Sequence, residues 1–365
     1  MTGAPLGMLA ELTHACPLHC AYCSNPIELA ARSTELSTVD WTRVFGEAAA
    51  LGVAQVHLSG GEPLLRRDLA ELTAGCRRLG LYTNLITSGL GLDRDRLASL
   101  AVDHVQISVQ DAEPAGAVRI AGQHTWQRKL DAARLVKESG LPLTPNIVLH
   151  RQNLDRIEDL VALAEKLEPE RLELAHTQYY GWGLRNRAWL LPTAEQVVAA
   201  GKVVLAAAER LRGRTEISYV SPDLHVGVPK PCMGGWGRHQ LTVAPNGDVL
   251  PCPAAAQLPG LAAENVRDRP LAAIWYDSVS FNRFRGTDWM SPTCRACDRR
   301  EIDYGGCRCQ AFQLTGDPTA TDPVCRFSPD RPLVDAILAS AGAGPAAQAA
   351  PAGSGDPAYR PHAPR

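Results

Sequence analysis

The chain has 365 residues, 45% hydrophobic and 21% charged, a balance that suits one large globular unit with room for a smaller second. Its 37 Lys and Arg nearly cancel its 39 Asp and Glu, so no strong field recruits nucleic acid or an anionic membrane. No run reaches the roughly 18 apolar residues of a membrane helix, and Met1 to Met8 lacks a basic and apolar leader, so the chain is expected in the cytosol.

In that reducing setting an odd set of 11 cysteines points to metal binding or thiol chemistry rather than disulfides. Three lie between positions 16 and 23 and seven between 232 and 325. Cys76, alone in a helical stretch, reads as a structural thiol.

From residue 8 to 211 short apolar runs alternate with amphipathic stretches. Strands are expected at Met8–Leu12, Gln55–Leu58, Tyr82–Thr87, His104–Val109, Leu143–Leu149 and Arg171–Ala175. Helices are expected near 37–51, 67–79, 93–100, 125–139, 155–167 and 193–211, the first opened by a capping box at Ser37 and Asp40. Six βα units in series imply an α/β fold: a parallel sheet curled into a partial (β/α)6 TIM-like barrel over residues 1–214. In such folds the loops after the strand C-termini carry the chemistry.

The first of those loops holds Cys16-Pro-Leu-His-Cys20-Ala-Tyr-Cys23. Three soft thiolates there suit an iron–sulfur cubane with one iron left open. The alternative is a zinc knuckle completed by His14 or His19. After the second strand comes Ser59-Gly60-Gly61-Glu62-Pro63, whose glycines permit close approach of a ligand and whose carboxylate suits an ammonium group. Later strand ends offer Asn84 and Thr87, Ser108 and Gln110, then Asn146 and His150. His150 and Arg151 are the candidates for a catalytic role.

Past residue 215 Pro, Gly and Cys become frequent and regular elements short, so residues 215–335 read as a small cysteine-rich domain held together by metal. Asn246-Gly247-Asp248 between apolar runs signals a hairpin. Cys232, Cys252, Cys294, Cys297, Asp303, Cys307, Cys309 and Cys325 make eight ligands, enough for two four-ligand sites, with zinc ribbons the alternative to iron–sulfur clusters. The Ala-, Pro- and Gly-rich end, residues 336–365, is expected to be disordered.

Together the triplet and the Gly-Gly-Glu-Pro turn resemble the radical S-adenosylmethionine superfamily. That resemblance implies a 4Fe–4S cluster on Cys16, Cys20 and Cys23, whose open iron chelates the methionine end of S-adenosylmethionine. It implies that Gly60, Gly61 and Glu62 hold the amino group and that Tyr22 lies near the adenine. Asn84, Ser108, Gln110 and Asn146 are then placed around the rest of the cofactor. The later cysteines resemble the SPASM extension of peptide-modifying radical enzymes. Carried over, Cys294, Cys297, Asp303 and Cys325 hold one auxiliary cluster, and Cys232, Cys252, Cys307 and Cys309 the other, each 2Fe–2S or 4Fe–4S.

Longer stretches narrow the likeness: Gly60-Gly-Glu-Pro-Leu-Leu-Arg-Arg-Asp68, Tyr82-Thr-Asn-Leu-Ile-Thr-Ser-Gly89, Val148-Leu-His-Arg-Gln-Asn153, Gln178-Tyr-Tyr-Gly-Trp182, Met233-Gly-Gly-Trp-Gly-Arg238 and the carboxylate at Asp303. These are similar to the PqqA peptide cyclase family of pyrroloquinoline quinone biosynthesis. The likeness implies hydrogen abstraction from the γ-carbon of a glutamate in the PqqA peptide by an adenosyl radical. The carbon radical then adds to a tyrosine ring, and an electron and a proton leave. It also implies the peptide chaperone PqqD and a flavodoxin-like reductant as partners. The runner-up is another SPASM-type peptide maturase, forming a thioether or oxidising a side chain.

Overall fold

The computed structural model describes residues 2–342 and 357–364. Its barrel half follows the expected alternation: β1 (Gly7–Glu11), α1 (Thr38–Leu51), β2 (Gln55–Ser59), α2 (Leu69–Arg78), β3 (Tyr82–Thr87), α3 (Arg94–Ser99), β4 (His104–Val109), α4 (Pro114–Ala121), α5 (Trp126–Glu138), β5 (Leu143–Leu149), α6 (Ile157–Glu165) and β6 (Arg171–His176). Two short helices, α7 (Gly181–Arg185) and α8 (Arg187–Leu190), lead to α9 (Ala194–Arg210). α1 starts on the expected capping box: Ser37 Oγ accepts from the Asp40 amide while the Asp40 carboxylate accepts from the Ser37 amide at 3.0 Å. α9 has the same device in Thr193 and Gln196. The sequence reading missed α4, where Pro114 at the first turn and the left-handed Gly122 at the end are the available signals.

β1 to β6 lie side by side and parallel, and the sheet continues beyond them at both edges. β7 (Glu216–Val220) pairs with β6, and β8 (Gln240–Val243) pairs parallel with β1. β9 (Asp248–Leu250) and β10 (Glu264–Asn265) then follow antiparallel. The ten strands run in the order β10-β9-β8-β1-β2-β3-β4-β5-β6-β7, an open sheet and therefore a partial barrel. The β8–β9 hairpin turns at Gly247, whose φ of 96° is the left-handed backbone the turn needs. The texture change near residue 215 is thus no break in the sheet.

The main core joins both halves of the chain. Val56, Leu58, Leu85, Val105 and Ile107 of the strands, Trp41 and Phe45 of α1, and Trp275 and Phe281 from the cysteine-rich half belong to one buried cluster. Each large side chain buried there contributes roughly 2–3 kcal/mol. Past residue 300 short helices end in the helix Arg331–Gly342. Residues 336–342 are therefore helical, and 357–364 lie ordered against the first cysteine loop, where disorder was expected. Anchoring groups such as Tyr359 and Arg360 are invisible to an average over Ala, Pro and Gly. Residues 343–356 of that expectation fall outside the described residues. Among the described residues no helix is long and apolar enough to cross a membrane.

Candidate active site

The loop after β1 and the turn after β2 are built on one another. The Gly61 amide donates to Thr13 O at 2.6 Å and the Glu62 amide to Ala15 O at 2.8 Å. A Cβ on Gly61 would stand 2.2 Å from Ala15 O, and one on Gly60, at φ 127°, would stand 2.3 Å from Thr13 O. The glycines are therefore demanded by backbone-to-backbone packing under the cysteine triplet as well as by the opening above it. Arg66 ties the same corner to the sheet, donating to Leu12 O and Leu36 O and pairing with Asp68 at 2.6 Å.

Above this corner, at the C-terminal ends of the strands, is a cavity of about 410 Å³. Cys16, Cys20 and Cys23 line it together with Tyr22, Gly60, Gly61, Thr87, Ser108, Gln110 and Asn146. All three thiols are free. Burial, the largest cause for each, pushes Cys16 up to about 12 and Cys20 and Cys23 up to about 11. Three thiolates side by side in this wall need added positive charge, which is what an iron cluster brings, so the donor set fits one. Tyr22 accepts a hydrogen bond from Gln110 Nε2 at 3.1 Å, which fixes its ring at the cavity edge.

Four expected site residues do not reach the cavity. Glu62 is fully buried, but its carboxylate turns to the end of β3, accepting from Thr87 Oγ1 at 2.6 Å, from the Ser88 amide at 2.7 Å and from Ser88 Oγ. With those donors and the Leu64 amide at 3.1 Å in place, each carboxylate oxygen accepts two hydrogen bonds, and Glu62 braces the turn. Asn84 sits well before the end of β3, deeper in the barrel, with Nδ2 3.1 Å from His57 Nδ1. His150 is buried behind Tyr22, its ring centroid 5.8 Å from that of Tyr22. Its Nδ1 accepts from the Gln152 amide, and burial lowers it to about 3, so it is neutral. Arg151 points to the other side and donates to Ala341 O at 2.6 Å.

The structure adds three side chains that the sequence reading passed over. His176 lines the cavity at the end of β6, with Nε2 2.9 Å from the Tyr219 hydroxyl. Lys129 of α5 is fully buried, donating to Gln110 Oε1 at 2.7 Å and to Ser108 O and Oγ at 3.1 and 3.2 Å. Arg360, from the C-terminal segment, lines the wall beside the cysteines. Only His176 carried a sequence signal, lying one residue past the expected end of a strand.

A second cavity of about 300 Å³ adjoins the first, sharing Ser24, Gln178 and Val220. Cys232, Cys252 and Cys307 line it, and Cys309 Sγ stands 3.9 Å from Cys252 Sγ. Cys232 shares that wall with Cys252 and Cys307 and interacts electrostatically with both. Farther out, Cys325 is raised first by burial and then by the charges of Asp303, Cys294 and Cys297, so those four side chains form a second neighbourhood. Asp303 is buried, accepts from the Gly305 amide at 3.0 Å and faces Arg299 Nε at 3.4 Å. Among the described residues no three His, Cys, Asp or Glu side chains meet around a single-ion site.

Residues 10–164 match the radical SAM superfamily, and residues 232–298 match the SPASM family, an iron–sulfur cluster-binding domain. The PqqA peptide cyclase of Streptomyces rochei is 57% identical over 354 residues, 96% of this chain and 97% of its own length. The chain belongs to the PqqA peptide cyclase family. The member from Methylocella silvestris is 55% identical over 92% of this chain and 91% of its own. As a PqqA peptide cyclase family member with both domains, the chain is a radical SAM enzyme.

Solved structures carry the fold beyond the family. Streptococcus suis SuiB bound to S-adenosylmethionine superposes with a TM-score of 0.73 at 20% identity, covering 89% of this chain and 78% of SuiB. Native anSMEcpe with bound AdoMet gives 0.65 at 15% identity, covering 93% of this chain and 100% of that one. At these identities the likeness is one of architecture.

Proposed function

We propose that this enzyme joins a glutamate γ-carbon to a tyrosine ring carbon within the PqqA precursor peptide, on the way to pyrroloquinoline quinone. The observation that carries this reading is the 57% identity to a PqqA peptide cyclase across 96% of the chain. The adjoining cavities support it, because they give a peptide room beside two groups of cysteines. The peptide of the SuiB complex, a precursor peptide named SuiA, belongs to that protein and supports the substrate class.

Cys16, Cys20 and Cys23 would hold a 4Fe–4S cluster, with S-adenosylmethionine along Gly60, Gly61, Tyr22, Ser108, Gln110 and Asn146. When bound, the pair supplies an adenosyl radical by one-electron cleavage of a carbon–sulfur bond. Gln110 holds the Tyr22 hydroxyl, Lys129 orients Gln110 and Ser108, and Glu62 fixes Thr87 and Ser88. Leu18, Ile86 and Val148 give the cavity apolar wall that excludes water. His150 and Arg151 act through their neighbours: His150 backs the Tyr22 ring, and Arg151 fastens the helix Arg331–Gly342.

Cys232, Cys252, Cys307 and Cys309 would hold one auxiliary cluster of two or four irons, and Cys294, Cys297, Asp303 and Cys325 the other. An auxiliary cluster held there would supply an exit for the electron lost when the tyrosine ring regains aromaticity, and the hard oxygen of Asp303 would tune its site. Asp303→Cys that changed neither crosslinking rate nor cluster potential would overturn the role given to that carboxylate. PqqD as peptide carrier, a flavodoxin-like reductant and the reducing cytosol complete the reading.

The deciding experiment supplies anaerobic, iron-loaded enzyme with reductant, S-adenosylmethionine, PqqD and PqqA. A peptide lighter by two hydrogens, with glutamate joined to tyrosine, is the expected product. A thioether or an oxidised side chain in its place refutes the proposal, as does turnover of a small molecule alone.

A further inference from the structure

The C-terminal segment 357–364 is fastened to the first cysteine loop at both of its faces. The Arg360 amide donates to His19 O at 3.2 Å, and Arg360 O accepts from His19 Nδ1 at 2.6 Å. Asn186 clamps Ala358, two residues before Arg360, donating to Ala358 O at 2.7 Å and accepting from the Ala358 amide at 2.8 Å, while also donating to Ala21 O within the loop. The Tyr359 hydroxyl donates to Arg119 O at 2.8 Å. The ring of His362 meets that of His19 edge-on at 4.4 Å, and its Nδ1 is 3.3 Å from Cys16 O.

These contacts deliver one side chain to the interior. Arg360 is 1% exposed, it lines the cavity that Cys16, Cys20 and Cys23 also line, and its charge acts on all three thiols. It donates to His14 O and to Pro361 O, both neutral acceptors, and its Nε is buried without a partner among the described residues. Burying a cation against carbonyl oxygens alone is unfavourable, and an anion in the same cavity offsets that penalty. Three thiolates around an iron–sulfur core make such an anion, and adding an electron makes it more negative.

We propose that Arg360 is a positioning residue of the first iron–sulfur site: the 357–364 segment holds the Cys16–Cys23 loop closed and sets the guanidinium where it stabilises the reduced, more anionic form of the cluster. This rests on the reading that the triplet binds a cluster. The chain's far end thereby acts on the electron-transfer step that begins the reaction.

The test uses full-length protein, loaded with iron anaerobically, as wild type, Arg360→Lys and Arg360→Gln. The potential of the first cluster is read from the reduced-state EPR signal that S-adenosylmethionine perturbs, with iron content measured alongside. Arg360→Gln is expected to cut the reduced fraction at fixed potential at least about tenfold, a downward shift of about 59 mV for one electron. Arg360→Lys, which keeps the charge, is expected to recover most of that shift. A wild-type potential in Arg360→Gln overturns the proposal, and so does an equal shift in both variants, because packing alone would treat them alike. Should Arg360→Gln fail to load, Tyr359→Phe, which loosens the segment at Arg119 O and leaves both the cysteine loop's own contacts and the guanidinium in place, is titrated in its place. A downward shift there supports the proposal, and an unmoved potential overturns it. Wild-type protein with no signal sensitive to S-adenosylmethionine would instead refute the cluster reading itself.

Discussion

The hydroxyl of Tyr180 stands 3.2 Å from the Sγ of Cys307. Tyr180 lines the second cavity, where four cysteines gather, so a phenol donates to a sulfur proposed as a cluster ligand. Hydrogen bonds to ligand sulfurs raise a cluster's potential and help it accept electrons. Tyr180→Phe keeps the ring and removes the donor, a loss of about 1.5 kcal/mol or roughly tenfold. The amount of crosslinked peptide per 5′-deoxyadenosine is expected to fall about tenfold, with a lower auxiliary potential. An unchanged ratio at an unchanged potential would show that this contact is packing only.

Gly61 is predicted to be intolerant of a single methyl group. The atoms that methyl would meet, Ala15 O at 2.2 Å and Ala15 C at 2.7 Å, are backbone and cannot swing aside. Gly61→Ala must move the cysteine loop, at a cost of about 1–3 kcal/mol. The expected result is loss of the first cluster's EPR signal with auxiliary iron retained. Gly46→Ala on α1, where a Cβ meets nothing within 4 Å, is the control and should load fully. Full loading of Gly61→Ala would refute the packing account.

Much of this architecture was legible because alternation and spacing are local signals. The six expected strands match β1 to β6 to within a residue, and the cysteine triplet and glycine turn fall at strand ends as expected. Two residues expected around the cofactor, Ser108 and Asn146, fall on the cavity because strand alternation turns them inward. Asn84 shares the inward periodicity, but it lies too far from the strand end and meets His57 instead. Glu62 was identified as to place but not as to partner, since nothing in the sequence says that Thr87 and Ser88 will take its oxygens. Lys129 and Arg360 were not legible. A lysine within a helix and an arginine in an Ala- and Pro-rich end acquire meaning only when distant segments meet. The parallel pairing of β8 with β1 is non-local in the same way.

Glu11, at the end of β1, gives the fold a pH-dependent weakness. Burial raises its carboxyl from 4.5 to about 7, and the nearest basic group, His14 Nε2 at 4.0 Å, is itself lowered to about 4 by burial and by Arg360. The contact is therefore no ion pair at neutral pH. A folded-state value above the unfolded one means the folded protein binds more protons between pH 4.5 and 7, so stability is fully present below 4.5 and declines as pH rises through 7. The difference amounts to about 3 kcal/mol. Glu11→Gln is expected to melt at higher temperature than the wild type above pH 7 and to lose that advantage toward pH 4.5. Parallel melting curves across that range would mean the carboxyl is not perturbed.

Lys129 separates stability from function. Its amine is lowered to about 8, chiefly by burial, with the nearby Cys20, Glu62 and Cys16 opposing the shift. Against 10.5 in the unfolded chain, that value costs stability below pH 8, and the cost disappears as pH climbs toward 10.5. Lys129→Met, of similar length and uncharged, removes the buried cation but also leaves Ser108 O, Ser108 Oγ and Gln110 Oε1 without their donor, so the two effects oppose and the melting temperature is expected to change little. Yet the same change frees Ser108 and Gln110, and Gln110 in turn holds Tyr22. Two hydrogen bonds at about 1 kcal/mol each predict S-adenosylmethionine binding weaker by at least about tenfold. Wild-type affinity should also fall as the amine deprotonates above pH 8, whereas that of Lys129→Met should stay flat. Equilibrium binding measured from pH 7 to 9 decides it: equal affinities and equal slopes would reduce Lys129 to a space-filling residue.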